Sequence, residues 1–168
     1  MRALSCAERY VRALFHPCGL MLRSATLHVG RSSLMPEMPS NVPSTPNPSN
    51  IDRAMDAIEL AAVAAEKGRL VQMVQAVHLE DVRAALQAHP KVVRAKLDRV
   101  VMGEDPELGL DVLLDAGVLR VVFPEVHAMV GFGDGEWRHK DVWKHTKQVV
   151  RQAVPRLEVR WASLFHDI

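Results

Sequence analysis

Ser49-Asn50-Ile51-Asp52-Arg53-Ala54-Met55-Asp56-Ala57-Ile58-Glu59-Leu60-Ala61-Ala62-Val63-Ala64-Ala65-Glu66-Lys67-Gly68 decides the fold class. Ile51, Ala54, Met55, Ile58, Ala61, Ala62 and Ala65 recur at steps of three and four. On a helix of 3.6 residues per turn that spacing gathers them on one face. Ser49, with Asp52 three residues on, resembles a capping box with Asp in the Glu position. Gly68 supplies a stop.

Downstream the same period continues. Leu70, Val71, Val74 and Val77 suggest a second helix. Glu80 to His89 carries Val82, Ala85 and Leu86 before Pro90 breaks it. Lys91 to Met102 follows, with Val93, Leu97 and Val100. At Asp105-Pro106 an N-cap carboxylate precedes a proline at the first helical position. Leu110, Leu113 and Leu114 form the next stripe, and Gly117 ends it. Val118 to Phe123 has strand composition, but its shortness and helical neighbours predict a helix or turn. Gly131-Phe132-Gly133-Asp134-Gly135 reads as a loop and lacks the strand–helix context of a phosphate-binding loop. Asp141 to Ala153 and Arg156 to Ile168 are the last two helices, separated by Pro155. There is no internal repeat and no convincing sheet, so the predicted fold is an all-α helical bundle.

Upstream, residues 36–50 contain five prolines among small polar residues. Such a stretch buries too little apolar surface to offset its ordering entropy and reads as a linker, so residues 1–50 are expected to be a disordered extension. Arg2, Arg9, Arg12, Arg23 and Arg31 face only Glu8 and Glu37 in the first forty residues. That bias fits an organelle-targeting peptide. It fits equally an upstream start codon, since Met21, Met35 and Met38 offer later starts, and the plainer reading is favoured. Cys6 and Cys18 have no CxxC spacing and read as free thiols in a reducing compartment, which with the absence of a secretion signal predicts a cytoplasmic protein. The 168 residues carry 21 basic and 20 acidic side chains, a balance that argues against indiscriminate nucleic-acid binding. The hydrophobic fraction of 48% can bury a core, yet no apolar run reaches membrane-spanning length.

The chemistry gathers near the C-terminus. His145 is followed 21 residues later by His166-Asp167. Two imidazoles and a carboxylate, converging from neighbouring helices, suit a first-row divalent metal and leave its identity open among Mn, Mg, Ni, Co, Fe and Zn. Such an ion polarises a phosphoryl oxygen and acidifies bound water. Ordinary helix-surface histidines are the plain alternative. Arg138, His139, Lys140 and Lys144 stand close in sequence and are candidates for contacting a substrate phosphate, or simply a solvated face. His78, His89 and His127 read as surface or boundary residues.

Asp141-Val142-Trp143-Lys144-His145-Thr146, together with Arg160-Trp161-Ala162 and Leu164-Phe165-His166-Asp167-Ile168, resembles the start of an HD domain. The version is that of the C-terminal region of bacterial transfer-RNA nucleotidyltransferases and related poly(A) polymerases. The resemblance implies that His145, His166 and Asp167 bind a divalent metal and that the inherited activity is hydrolysis of phosphomonoesters or cyclic phosphodiesters, often of nucleotides or RNA ends. It extends less specifically to Gly103–Leu110, Leu113–Leu119 and Phe123-Pro124-Glu125, and divides the chain into a helical segment at 51–130 and the beginning of an HD domain at 131–168.

Two departures from that pattern shape the expectations. The chain has no Asp-x-Asp, so the nucleotidyl transfer of the family's head is not expected of it. The family also continues beyond His-Asp-Ile with further helices and a later aspartate in the metal shell. The expectation is therefore a truncated HD domain, weak or inactive as written. Its last helix should lack a C-cap, and Trp161, Leu164, Phe165, Trp143, Val149 and Val150 should form unpaired apolar faces prone to self-association. A non-catalytic helical module that binds RNA or a partner protein, or a degenerate gene fragment, is the alternative.

Overall fold

In the computed structural model, residues 48–131 and 141–168 are described, and all their regular structure is helical. Eight helices follow in order: α1 Pro48–Lys67, α2 Leu79–Ala88, α3 Pro90–Met102, α4 Pro106–Asp115, α5 Leu119–Val122, α6 Pro124–Ala128, α7 Val142–Gln152 and α8 Leu157–Leu164. The all-α expectation holds. Of the predicted disordered extension 1–50, residues 1–47 lie outside the described residues, as does the Gly131–Gly135 loop beyond Gly131; Pro48, Ser49 and Asn50 are instead the first residues of α1.

The α1 stripe is the centre of the core: Ala54, Ile58, Ala61, Ala62 and Ala65 are fully buried. Small side chains here let α4 approach closely. A Cβ on Gly109 would stand 2.7 Å from Ala65 Cβ and 3.0 Å from the Ala61 carbonyl oxygen, so a methyl there would force the two helices to shift. Val100, Leu97, Leu110 and Leu113 fill the space around this seam. The backbone N–H of Asp105 donates to the Ala65 carbonyl at 2.8 Å, while the Asp105 side chain accepts from the Leu108 N–H at 3.2 Å. One residue thus caps α4 and fastens it to the end of α1. Outside the core, Arg99 on α3 bridges Glu59 and Glu66 on α1 at 2.7–2.9 Å, and Lys96 joins Glu59.

Three expectations need correction. Leu70 to Val77 is not a helix: Gly68 turns the chain at φ +59°, and residues 73–78 carry no regular structure until α2 starts, with His78 in the extended region. Val71, Val74 and Val77 are all β-branched and poor helix formers. The Val77 N–H instead donates to the Ala116 carbonyl at 3.0 Å, and Val74 and Val77 lean on the core from this irregular segment. Ser49 lies inside α1, which already includes Pro48, so it does not serve as the N-cap of a capping box.

The third correction concerns the apolar faces. Trp143, Val150, Trp161 and Leu164 are all buried, and Val149 and Phe165 are partly covered. Their partners lie upstream: Phe123 meets Trp161 and Phe165 edge-on, with centroids at 5.4 and 5.5 Å. Nor is the last helix uncapped. It ends at Leu164, and the Phe165 N–H returns to the Ala162 carbonyl.

Candidate metal centre

The pair α7–α8 folds back on itself through residues 153–156, and α7 rests on α4 while α8 rests on α3. His145 and His166 lie at comparable distances on either side of that turn, so antiparallel packing brings them side by side. Their ring centroids are 5.6 Å apart.

Local signals fix each partner. The Asp141 carboxylate accepts from the Lys144 N–H at 3.0 Å and caps α7, and the His145 N–H donates to the Asp141 carbonyl. Trp143 and Thr146, flanking His145, are buried, and Lys147 pairs with Asp111 of α4. With those positions turned inward, His145 is left half-buried at the rim. On the other side, α8 is fixed by polar ties. Arg160 is buried and its Nη1 donates to the carbonyls of Val101 and Gly103 at 2.7 and 2.8 Å, where α3 ends. Trp161 Nε1 donates to Asp98 Oδ1 at 2.8 Å. His166 and Asp167 then fall in the turn just past α8, both exposed.

His145, His166 and Asp167 each present a ligand atom, and these atoms lie within 4.8 Å of one another. The His166 Nδ1 stands 2.6 Å from the Ser163 carbonyl oxygen. A carbonyl only accepts, so Nδ1 carries a proton, and in the neutral ring the lone pair is left on Nε2. That lone pair faces Asp167 Oδ2 at 3.2 Å. Two acceptors so placed attract only through a proton or cation between them. Adjacent ligands around a tetrahedral or octahedral ion at about 2.1 Å stand roughly 3 Å apart or slightly more. The carbonyl contact is also the orienting bond that metal-bound imidazoles ordinarily make. By its chemistry, two imidazole nitrogens and a carboxylate oxygen, the donor set is of the kind that suits a divalent cation.

The other predicted residues are not all placed. Lys144 is exposed beside His145 and its ammonium has no ion-pair partner among the described residues. Arg138, His139 and Lys140 lie outside the described residues. His78 and His89 are exposed and His127 half-buried, as expected of surface and boundary positions. Sequence reasoning missed the Ser163 carbonyl, which no side-chain pattern announces, and the structural role of Arg160, which the motif around it does not reveal. Asp141 three residues ahead of Lys144 was a readable cap signal. No helix among the described residues is long and apolar enough to cross a membrane.

An all-helical domain with an exposed His-His-Asp group at one end is the class that these observations define. Similarity places it more closely. The chain is 36% identical over 78 residues to the multifunctional CCA protein of Pseudomonas fluorescens (strain Pf0-1), covering 44% of this chain and 19% of that protein. It is 34% identical over 94 residues to the CC-adding tRNA nucleotidyltransferase of Thermus thermophilus (strain ATCC BAA-163), covering 49% and 22%. For the multifunctional CCA protein of Shewanella denitrificans (strain OS217) the figures are 34% over 76 residues, 42% and 18%. Part of this chain is therefore related to tRNA nucleotidyltransferases, and it spans about a fifth of the length of these curated relatives. No protein-family model matches the chain. No solved structure matches it either.

Proposed function

We propose that this chain carries the metal-holding part of an HD-type phosphohydrolase site, in a cytoplasmic protein acting on a nucleotide or RNA phosphoester. The observation that carries the reading is the facing pair His166 Nε2 and Asp167 Oδ2 at 3.2 Å, with His145 alongside. His145, His166 and Asp167 would hold the divalent ion, which supplies Lewis-acid activation of water and of a phosphoryl oxygen. Three protein ligands leave positions open for water and substrate. Lys144, exposed next to His145, adds positive charge where an anionic substrate approaches, and Arg138, His139 and Lys140 are proposed to extend that surface. The similarity to proteins named for tRNA nucleotide addition supports a nucleotide or RNA end as substrate. The absence of Asp-x-Asp anywhere in the sequence argues against nucleotidyl transfer by these residues themselves.

Thermal unfolding with added Mn2+ tests the site apart from turnover. Binding to the folded form alone stabilises by about 2.7 kcal/mol at a hundredfold excess over Kd. The rise in Tm should vanish in His145→Ala and Asp167→Asn, whose exposed or half-buried side chains leave the metal-free Tm nearly unchanged. Hydrolysis of bis(p-nitrophenyl) phosphate under the same conditions should be slow, metal-dependent and lost in both variants. A Tm that ignores the metal would sink the reading.

A second reading, a non-catalytic helical module that binds RNA or a partner, is favoured by one observation. The core is complete without the His-His-Asp group, which only decorates its rim. Metal binding with no turnover on any phosphoester would decide for it.

A further inference from the structure

Far along the chain from the metal ligands, a groove of about 380 Å³ opens between the first turns of α1, the irregular segment 72–78 and the start of α2. None of the metal ligands lines it. Ala57, Leu60, Val74 and Val77 contribute apolar wall, and Asp56 and Asp81 contribute the acidic groups.

Asp81 is the unusual member. It is 7% exposed, yet its carboxylate has neither a hydrogen-bond nor an ion-pair partner in the described structure. Its place in the first turn of α2 lets the helix dipole offset part of the charge, and its oxygens, not fully enclosed, open on the groove. Arg53, which also lines the groove, is turned to Asn50, with Nη2 2.7 Å from Oδ1. Glu80 is engaged by Arg83. Asp81 alone is buried, acidic and uncommitted here.

The rim supplies a second, independent feature. From Gln72 to Ala76 the backbone runs without helix or ladder, and none of its N–H or C=O groups has a backbone partner among the described residues. Unpaired backbone beside a groove offers N–H and C=O groups with which an added extended peptide can pair. Met73, 84% exposed, and Leu70 and Val71 give this edge apolar side chains that the fold itself leaves uncovered.

We propose that this groove binds an extended peptide segment of a partner protein that places a lysine or arginine on Asp81. The peptide backbone pairs with Gln72–Ala76, its aliphatic stem lies on Leu60 and Val77, and the cation meets the Asp81 carboxylate. Charge selects the partner: Arg53 and His78 also line the groove, but Arg53 is turned to Asn50, and two carboxylates, Asp56 and Asp81, remain to receive a cation.

A fluorescein-labelled peptide, acetyl-Val-Thr-Lys-Val-Thr-amide, and its norleucine counterpart, titrated by anisotropy against the full 168-residue chain, form the test. The lysine peptide should bind about tenfold or more tightly than the norleucine peptide, the size of one charge-assisted contact. Asp81→Asn should abolish that preference. Gln75→Pro, at an exposed position whose N–H has no internal partner, should weaken both peptides with Tm unchanged. Amide shifts on binding should concentrate at residues 72–81. Equal affinity of the two peptides, a preference that survives Asp81→Asn, or shifts centred elsewhere would overturn the proposal. So would dimerisation of the chain alone that Asp81→Asn removes, which would assign the groove to a second copy.

Discussion

The body of the molecule, α1 to α6, and the α7–α8 hairpin hold together by different means. The body closes by removing volume: alanines on α1 and Gly109 on α4 bring two helices into backbone proximity, and branched aliphatics fill the remaining gaps. The hairpin is attached by direction. Arg160 grips two carbonyls, Trp161 donates to Asp98, and Lys147 pairs with Asp111. Close packing tolerates almost no change but needs no particular chemistry. Directional ties tolerate repacking but fail when one atom is removed. The hairpin carries the His-His-Asp group, and its fixed pose is what a metal centre needs from its scaffold.

The largest effect that breaks this comparison should come from Arg160. Its guanidinium reaches the carbonyls of Val101 and Gly103, so it both ends α3 and anchors α8. Arg160→Met keeps the bulk and removes two charge-assisted hydrogen bonds. A loss of about 3 kcal/mol is expected, since each such bond contributes roughly 1.5–3 kcal/mol. All three tryptophans, Trp137, Trp143 and Trp161, fall after residue 131, whereas most helix lies before it. The fluorescence of Trp143 and Trp161 therefore reads the hairpin, and far-ultraviolet circular dichroism reads mainly the body. In urea the two transitions should separate in Arg160→Met, fluorescence first. Coincident transitions would mean that hairpin and body unfold as one unit.

A smaller effect, confined to the body, is expected from Gly109→Ala. The new methyl would meet Ala65 Cβ at 2.7 Å and Val100 Cγ1 at 2.9 Å. Overpacking costs about 1–3 kcal/mol, against a gain of roughly 1 kcal/mol in helix propensity. The net loss should be on the order of 1 kcal/mol, shifting both urea transitions together. Ala65→Gly in the same chain should relieve the clash. If the double variant is no more stable than expected from the two single changes, the seam is not what limits the approach of α1 and α4.

The same contrast explains what could be read from the sequence. Periodicity and stop signals are local, so the α1 stripe, the Asp105-Pro106 start and the Gly117 end were legible, as was the helical nature of Val118 to Phe123. Leu70 to Val77 was misread because its apolar spacing also serves an irregular segment that leans on the core with Val74 and Val77. What holds that segment is the Ala116 carbonyl, 39 residues away, which no local pattern encodes. The expected exposure of Trp161 and Leu164 failed for a similar reason. Trp161 packs on Phe123 and donates to Asp98 on α3, both supplied by the body. His145, His166 and Asp167 were legible as a group because two helices joined by a short turn bring comparably placed residues together. The orienting Ser163 carbonyl was not, since backbone carries no sequence signature.

The smallest effect concerns the ion pairs between α1 and α3, the body's own directional ties. Hydrogen bonding from Lys96 first, and from Arg99, holds the Glu59 carboxyl below its ordinary value; the Arg99 hydrogen bond does the same for Glu66. Arg99 is raised by its two carboxylate partners. Lowered carboxylates stabilise the fold above their ordinary value of 4.5, and the contribution drains as pH falls through the lowered folded values. The raised Arg99 stays charged throughout that range. Glu59 and Glu66 are each more than a third exposed, so solvent screening holds the total to about 1 kcal/mol or less. Thermal unfolding from pH 7 to pH 3 should cost the native chain slightly more than Glu59→Gln, and about 1 M salt should narrow the gap. The Arg160 ties are buried against neutral carbonyls, so Arg160→Met should keep its penalty in the same salt. A penalty that fades with salt there would mean that the hairpin is held by exposed charge like the α1–α3 face, and the two regions would no longer differ in kind.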